Sequence, residues 1–491
     1  MLIGKMRGMT SMYQENLKSK VLSGLFWKVM ENGGTQGIQF LVSVLLARLL
    51  TPAQSGEVML IMIFITIGNV FVQSGFNTSL IQKQKVDEED YSSAFYISAG
   101  IAGILYVILF FSAPLVAKFY GQPLFRPVLR TLAVTLFFGA VTSVQSAAVA
   151  RNMEFRKLCL ASIFAALGSG VIGVAMAFMG YGVWALAMQQ FFYSFFLMAV
   201  LFVLVKWRPR LLFSVKKAGE LFSYGWKILC SGLIDTIFSN VYGLVIGKIY
   251  NSAMMGQYSR GNQFPSLIAN NLGAAIQSVM LPAFSACQDD RAKVKSMVRR
   301  SIVTSSYLVF PMMAGLIAVA EPMVKLLLTD QYLPCVPMLR LLCVAYATWP
   351  LHVANLQAIN ALGKSEIFLK LEIIKKTVSV IALIISIPFG IYTMVALRAV
   401  TDFICTFINA HPNKKLLNYS FYEQWKDVIP SLLVSAVMGV TVYGVQYIIE
   451  GTLLTLMVQI LVGVLVYAGL SWLFRLEAFL YLWRTAGFGR H

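Results

Sequence analysis

Residues 47–56 read Ala-Arg-Leu-Leu-Thr-Pro-Ala-Gln-Ser-Gly, and residues 247–256 read Gly-Lys-Ile-Tyr-Asn-Ser-Ala-Met-Met-Gly. The two stretches agree in register at small, basic, apolar and glycine positions when the chain is laid over itself with an offset of about 200 residues. Trp27-Lys28 falls on Trp226-Lys227 at nearly the same offset. The chain therefore contains an internal repeat, which predicts a duplicated structural unit.

The composition indicates what kind of unit is duplicated. Of 491 residues, 58% are hydrophobic and only 12% are charged, and the mean hydropathy is +0.73. A soluble domain carries about 25% charged residues. Apolar runs of about 20 residues recur from end to end, and each can cross about 30 Å of hydrocarbon as a helix. We therefore predict an all-α polytopic membrane protein.

About fourteen transmembrane helices are predicted, six in each copy of the repeat and two extra at the C-terminal end. Because six is even, both copies have the same orientation, a recurrent plan among transporters. The predicted domains are an N-terminal six-helix lobe at 1–205, a cytoplasmic linker at 206–217, a C-terminal six-helix lobe at 218–410, and two extra helices with a cytoplasmic tail at 411–491. The spans are placed at 22–46, 58–80, 92–116, 129–149, 158–179, 183–205, 221–246, 257–283, 301–320, 336–359, 367–387, 392–409, 428–449 and 453–474.

The charge of the chain predicts its orientation. There are 40 Lys and Arg against 21 Asp and Glu, a net charge of +19. The basic residues come in short bursts between spans, without the long basic face that binds nucleic acid, so no nucleic-acid partner is expected. We count 29 in loops on the side of the N-terminus and 8 on the other side. Since cytoplasmic loops carry the positive excess, both termini are expected in the cytoplasm. The N-terminal segment, with Lys5, Arg7, Lys18 and Lys20, lacks a cleavage site and is expected to be retained.

No motif predicts catalysis, a metal or a cofactor. The six cysteines include no Cys-x-x-Cys pair, and the histidines are scattered. The pattern Gly168-x-Gly170-x-x-Gly173 lies inside an apolar span without a preceding strand, so close helix packing explains it better than dinucleotide binding. Gly363-Lys364-Ser365 lacks the first glycine of a phosphate-binding loop. The external loops are too short for a catalytic domain, so we expect no enzyme.

Polar side chains recur at helical spacing in the first and seventh spans. Because a lone charge in hydrocarbon costs several kcal/mol, such residues normally face a cavity or a partner. One interpretation is that both lysines snorkel to lipid headgroups from the cytoplasmic ends of their helices. The other is a water-filled cleft between the two helices, which also serves the two carboxylates. The residues are Lys28, Glu31, Asn32, Thr35, Gln36, Gln39 and Ser43 in the first span, and Lys227, Ser231, Asp235 and Ser239 in the seventh.

Further polar residues lie in later spans. Arg398 and Asp402, at i and i+4 in the twelfth span, form either a buried structural ion pair or part of a cavity. Amides in the second and eighth spans act either as interhelical hydrogen-bonding groups or as a wall that binds sugar. These amides are Asn69, Gln73, Asn262, Gln263, Asn270 and Gln277.

Three stretches make the chain similar to a known family: Ser23-Gly-Leu-Phe-Trp-Lys28, residues 47–56, and Ala150-Arg-Asn-Met-Glu-Phe155. With these, the chain resembles the polysaccharide flippases (Wzx-type) of the multidrug/oligosaccharidyl-lipid/polysaccharide exporter superfamily. The resemblance implies two six-helix lobes around a central cavity, alternating access, and export of undecaprenyl-diphosphate-linked oligosaccharide across the bacterial inner membrane. It also implies contact with membrane lipid and with polysaccharide polymerase machinery. Cationic residues of the family cavity match Lys28, Lys227 and Arg260.

Alternatives remain open at this point. An ion-coupled multidrug or organic-cation antiporter of the same superfamily would have an acidic cavity, whereas lysines accompany the acids here. A membrane polysaccharide polymerase would need catalytic loops. Transport is expected to be coupled to H⁺ or Na⁺ through Glu31, Asp235, Arg398 and Asp402, since no nucleotide motif exists. A facilitator driven by consumption of the product fits the sequence equally well.

Overall fold

A computed structural model describes the backbone of residues 2–73, 75–84 and 86–485. Side chains are described from residue 23 onward within these ranges, except for those of Leu25, Phe76, Tyr224, Ala275, Ser278, Val279 and Leu281. The basic side chains expected at the N-terminus, at residues 5, 7, 18 and 20, and the last residues of the predicted tail, 486–491, lie outside this description.

The described chain is helical throughout. Two short 3₁₀ turns, Asp330–Tyr332 and Ile387–Phe389, interrupt the series of α-helices. The α-helices are α1 (Leu2–Leu49), α2 (Pro52–Gln73), α3 (Phe76–Gln82), α4 (Glu88–Tyr120), α5 (Phe125–Ala133), α6 (Thr135–Arg151), α7 (Phe155–Phe178), α8 (Val183–Leu204), α9 (Val215–Ile249), α10 (Ser252–Ser285), α11 (Arg291–Leu328), α12 (Cys335–Ala347), α13 (Trp349–Ala361), α14 (Ser365–Ser386), α15 (Ile391–Leu417), α16 (Phe421–Val445), α17 (Thr452–Leu473) and α18 (Glu477–Thr485).

Eleven helical segments of the described residues are long and apolar enough to cross a membrane. They coincide with eleven of the predicted spans, which confirms the prediction of a helical, polytopic membrane protein. The other three predicted spans fall on α1, α10 and α14. The last of these carries three lysines and two glutamates within its 22 residues, which lowers its apolar character. The total of about fourteen spans stays a prediction.

The order of helices in residues 2–204 recurs in residues 215–417. In both stretches the fourth span is broken in two, at Val134 between α5 and α6 and at Thr348 between α12 and α13. Pro350 follows the second break and lacks the N–H that a continuous helix needs. The next turn in each stretch contains a residue with positive φ, Met153 at 57° and Gly363 at 69°. This recurrence agrees with the internal repeat.

Glycine allows close packing of α7 against its neighbours. A Cβ added at Gly170 would lie 2.5 Å from Val42 Cγ2 of α1, and one added at Gly173 would lie 2.7 Å from Gln189 Cβ of α8. Side chains larger than glycine would collide at both places. The interpretation of this glycine pattern as a helix-packing motif is therefore confirmed.

The two copies of the repeated motif contact each other. A Cβ at Gly56 in α2 would lie 1.7 Å from the carbonyl oxygen of Ser252, and one at Gly256 in α10 would lie 2.0 Å from the carbonyl oxygen of Pro52. Only glycine permits such an approach between backbones. The chain as a whole divides into two compact units, 1–256 and 257–491, and this contact belongs to the first. The lobe boundaries inferred from the sequence stay a prediction.

Candidate functional site

The polar residues of α1 divide between the interior and the exposed side of the helix. Lys28 Nζ lies 2.9 Å from Glu31 Oε2, with 45% of the lysine side chain but only 12% of the glutamate side chain exposed. Glu31 is within electrostatic range of Cys159 in α7 and Tyr193 in α8. Thr35 is also buried. Glu31 therefore faces the packed interior of α1, α7 and α8, and the lysine reaches inward to pair with it.

The amides of α1 lie around this ion pair. Asn32, one residue beyond Glu31, is exposed, while Gln36 and Gln39 are half-buried. The polar residues of α1 therefore have the spacing of one helix face, as predicted. Their exposure differs, because Glu31 is buried whereas the amides are exposed or half-buried.

The polar residues of α9 form one exposed stripe. Ser223, Lys227, Ser231, Asp235 and Ser239 follow one another at intervals of four residues, and all five are exposed. Because an α-helix has 3.6 residues per turn, each step of four residues rotates the side chain by about 40°, so Lys227, Ser231 and Asp235 lie within about 80° on one face, with Ser223 and Ser239 at its two sides. Because an ionised group facing hydrocarbon is strongly unfavourable, a face with both an ammonium and a carboxylate is suited to a water-filled space.

Ion pairs hold the start of α9 against the segment that precedes α4. Lys217 Nζ lies 2.5 Å from Asp87 Oδ2 and 2.7 Å from Glu89 Oε2, and Lys83 Nζ lies 3.1 Å from Glu220 Oε2. The hydrogen bond from Lys217 is the main reason that the pKa of Asp87 is lowered from 3.8 to about 2. These contacts fix the start of α9 just before its polar stripe begins.

The amides of α2 contact each other and a neighbouring helix. Gln73 Nε2 donates to Asn69 Oδ1 at 3.3 Å. A Cβ added at Gly139 in α6 would lie 2.7 Å from that same Asn69 oxygen, so α6 packs directly on the amide pair. Asn270 and Gln277 of α10 are exposed instead. The α2 amides thus have an interhelical packing role, while Asn270 and Gln277 are accessible to a ligand.

Arg260 occupies an enclosed position in the second unit. It is 3% exposed and donates from Nη1 to Gln263 Oε1 at 2.9 Å. Its guanidinium carbon lies 6.0 Å from the ring centre of Tyr332, in the 3₁₀ turn after α11. In this conformation the guanidinium anchors that turn and is not open to a ligand.

Arg398 and Asp402 lie in a larger polar cluster of the second unit. The expected pair is present on α15, with 3.9 Å between Arg398 Nε and Asp402 Oδ2. A shorter contact runs from Arg398 Nη1 to the hydroxyl of Tyr258 in α10, at 2.5 Å. The guanidinium also lies over the ring of Tyr346 in α12, whose hydroxyl donates to Asn262 at 3.2 Å. The arginine therefore connects α15 to two other helices.

Sequence reasoning missed several residues of this cluster, including Tyr258 and Tyr346. Lys375, on the third turn of α14, pairs with Glu372 at 2.6 Å and is only 15% exposed. It lies within electrostatic range of Asp402 and of the half-buried His352. His352 Nδ1 is 2.8 Å from Asn409 Nδ2. The pair of Glu372 and Lys375 could have been predicted from the sequence, because a glutamate and a lysine at i and i+3 inside an apolar span can form an ion pair.

The structure brings predicted residues together in four groups: Lys28 with Glu31, Asn69 with Gln73, Arg260 with Gln263, and Arg398 with Asp402. The described residues contain no group of three or more His, Cys, Asp or Glu side chains that could hold a metal ion.

Comparison with known proteins shows the family of this chain. Residues 45–337 match the model of a family described as "Polysaccharide biosynthesis protein". The chain is 27% identical to the succinoglycan biosynthesis transport protein ExoT of Rhizobium meliloti over 65% of each chain, so the match spans about two thirds of that relative. It is 22% identical to the teichuronic acid biosynthesis protein TuaB of Bacillus subtilis, over 88% of this chain and 90% of that protein.

Solved structures show the same fold. The lipid II flippase MurJ in an inward closed conformation has a TM-score of 0.74 at 15% identity, covering 92% of this chain and 98% of that chain. An inward-facing multidrug resistance transporter of the MATE family and MOP superfamily has a TM-score of 0.60 at 13% identity, covering 80% and 99%. At these identities the likeness concerns the fold alone.

Proposed function

Because the chain belongs to the polysaccharide biosynthesis protein family, a family of transport proteins rather than enzymes, we propose that it moves a lipid-linked oligosaccharide across the bacterial inner membrane. The observation that carries the proposal is the exposed polar stripe of α9, which places Lys227 and Asp235 on one face of a helix that is apolar enough to cross a membrane. A transport path for a charged and sugar-bearing headgroup needs such a face. A helix that only supported the fold would not.

The substrate we propose is an undecaprenyl-diphosphate-linked repeat unit, bound through its diphosphate. Lys227 on α9 and Lys28 on α1 supply the positive charge. At about 4 Å and an effective dielectric constant of about 20, one cation and one phosphate attract by about 4 kcal/mol before desolvation is subtracted. The exposed Asn32 and Asn270, with Gln36 and Gln39, supply hydrogen bonds to sugar hydroxyls. Arg260 joins the site only if its turn opens during transport.

The architecture we propose for transport has two six-helix lobes, 1–205 and 218–410, with two extra helices after them and both termini in the cytoplasm. The recurrence of the helix order between residues 2–204 and 215–417 supports the duplication. Access to the substrate would alternate between the two sides of the membrane as the lobes move.

We further propose that transport is coupled to an H⁺ or Na⁺ gradient. The carboxylates proposed for coupling are Glu31, Asp235 and Asp402, and Arg398 and Lys375 are the cations within electrostatic range of Asp402. Transport into liposomes should slow at least several-fold when both gradients are collapsed. An unchanged rate would remove these carboxylates from coupling and favour a facilitator.

A deletion strain tests the transport proposal directly. Without the protein, lipid-linked repeat units should accumulate in the cytoplasmic leaflet, and surface polysaccharide should fall in a strain without a paralogue. Expression of the wild-type chain should restore both, without increasing resistance to cationic dyes. Normal surface polymer in the deletion strain, or dye resistance as the only effect of expression, would contradict the proposal.

A further inference from the structure

A pocket of about 220 Å³ lies between the first turns of α11 and the C-terminal helix α18. Its polar walls are formed by Arg300 and Thr304 of α11 and by Glu477, Tyr481 and Arg484 of α18. None of the polar residues of α1, α2 and α9 lines it. The pocket is therefore separate from the proposed transport path.

The helix α18 has the character of a helix at a membrane surface. Leu476, which precedes it, and Ala478 are buried in an apolar cluster with Val303 of α11. Trp483, near its end, is 49% exposed. A short amphipathic helix with an exposed tryptophan and an arginine is typical of the interface between hydrocarbon and headgroups. The pocket thus opens where lipid headgroups are expected.

The pocket has an excess of positive charge. Arg299, next to the pocket, pairs with two carboxylates. Its Nε lies 3.1 Å from Asp427 Oδ2, and its Nη1 and Nη2 donate to Glu477 at 2.9 and 2.7 Å. The guanidinium of Arg300 lies 4.0 Å from the ring centre of Tyr481. Neither Arg300 nor Arg484 forms an ion pair with any side chain that the structure describes. The pocket wall therefore carries two arginines, Arg300 and Arg484, against one carboxylate, Glu477, which is already paired with Arg299.

We propose that this pocket binds the phosphate of an anionic membrane lipid. Guanidinium groups match phosphate oxygens in a two-pronged geometry, and the hydroxyl of Thr304 adds a donor. Basic pockets between transmembrane helices are suited to acidic headgroups. Acyl chains of the lipid can remain in the surrounding hydrocarbon, which favours a lipid over free phosphate. The bound lipid would hold α18 against α11.

Native mass spectrometry of the full chain tests this site. Protein purified in a mild detergent is titrated with phosphatidylglycerol, with phosphatidylcholine of the same acyl chains, and with inorganic phosphate. Wild-type protein should retain one phosphatidylglycerol more tightly than phosphatidylcholine. Each of Arg300→Gln and Arg484→Gln should weaken that retention about fivefold, in line with one basic residue at a membrane surface. Inorganic phosphate should not displace the lipid at equal concentration.

Controls separate the site from general charge and from folding. Lys293→Gln removes an exposed positive charge two turns earlier on α11 and should leave retention unchanged, while Arg300→Lys should keep part of it. Arg484 is exposed on the last turn of α18, so its substitution leaves the packed core intact even if Arg300→Gln unfolds the helix. Equal retention of both lipids, unchanged binding in Arg484→Gln, or equal displacement by inorganic phosphate would overturn the proposal.

Discussion

Replacing Lys227 by Gln should reduce transport more than replacing Lys28. Lys227 is exposed on the α9 stripe and has no ion pair with a described residue, so its ammonium is available to the substrate phosphate. A hydrogen bond between charged groups contributes about 1.5–3 kcal/mol net, which corresponds to a loss of about 10- to 100-fold. Lys28 must leave Glu31, 2.9 Å away, before it can bind phosphate. Because Lys28 would exchange a carboxylate partner for a phosphate, its replacement should lower the transport rate less, by under about tenfold.

The assay is the initial rate of transport of a lipid-diphosphate oligosaccharide in proteoliposomes at matched protein content. Surface polysaccharide in a complemented deletion strain gives a second measurement. Lys227→Arg keeps the charge and should retain most of the rate. Lys216→Gln is the matched control, because Lys216 is an exposed lysine in the first turn of the same helix.

Two results would refute this reasoning. If Lys28→Gln and Lys227→Gln together leave the initial rate near that of the wild type, both lysines only snorkel to headgroups and are not part of the substrate site. If Lys216→Gln loses as much as Lys227→Gln, the effect comes from the overall charge of the helix end. In either case the proposed site would depend on the amides alone.

Three further outcomes follow from the packing and the charges. Gly56→Ala should lower the thermal unfolding temperature, because its Cβ would lie 1.7 Å from a carbonyl oxygen, whereas Gly219→Ala, with open space around it, should not. Asp87, whose pKa is lowered from 3.8 to about 2, keeps its lysine partner above pH 4 and loses it as the pH falls through about 2. The protection of residues 86–90 from hydrogen exchange, relative to the unfolded chain at the same pH, should therefore be constant from pH 8 to 5 and fall below pH 4. Lys375→Gln leaves a half-buried glutamate without its partner and should destabilise the protein by about 1–3 kcal/mol in a denaturant titration, unlike Lys370→Gln at an exposed position of the same helix. Gly219→Ala as destabilising as Gly56→Ala, or Lys370→Gln as destabilising as Lys375→Gln, would contradict the packing and ion-pair explanations. Protection from exchange that already falls at pH 6 would contradict the explanation for Asp87.

Periodic signals in the sequence predicted the parts of the fold that depend on one helix at a time. The apolar runs located eleven spans, and the four-residue spacing from Lys227 to Ser239 predicted the stripe of α9, because a helix converts spacing directly into a face. The repeat at Gly56 and Gly256 predicted a duplication. The spans and the stripe depend on the geometry of a single helix, which neighbouring helices do not change.

Features that depend on pairs of helices could not be predicted in this way. The spacing of Glu31 placed it beside Asn32 on a polar face, but contact with α7 and α8 decides that the carboxylate is buried and the amide exposed. The contact of Arg398 with Tyr258 joins residues 140 positions apart, and no spacing within α15 indicates it. Burial of Arg260 likewise depends on a turn that follows α11.

The contact between Gly56 and Ser252 also has a consequence for biosynthesis. The start of α2 reaches its partner only after nearly 200 more residues have been made, which takes about 10–40 s at 5–20 residues per second. During that interval the backbone around Pro52 and Gly56 lacks its final neighbour, although the helices that carry it are already in the membrane. The time for which this surface stays open is therefore set by the ribosome, and a chain whose translation stops before residue 252 leaves it open permanently.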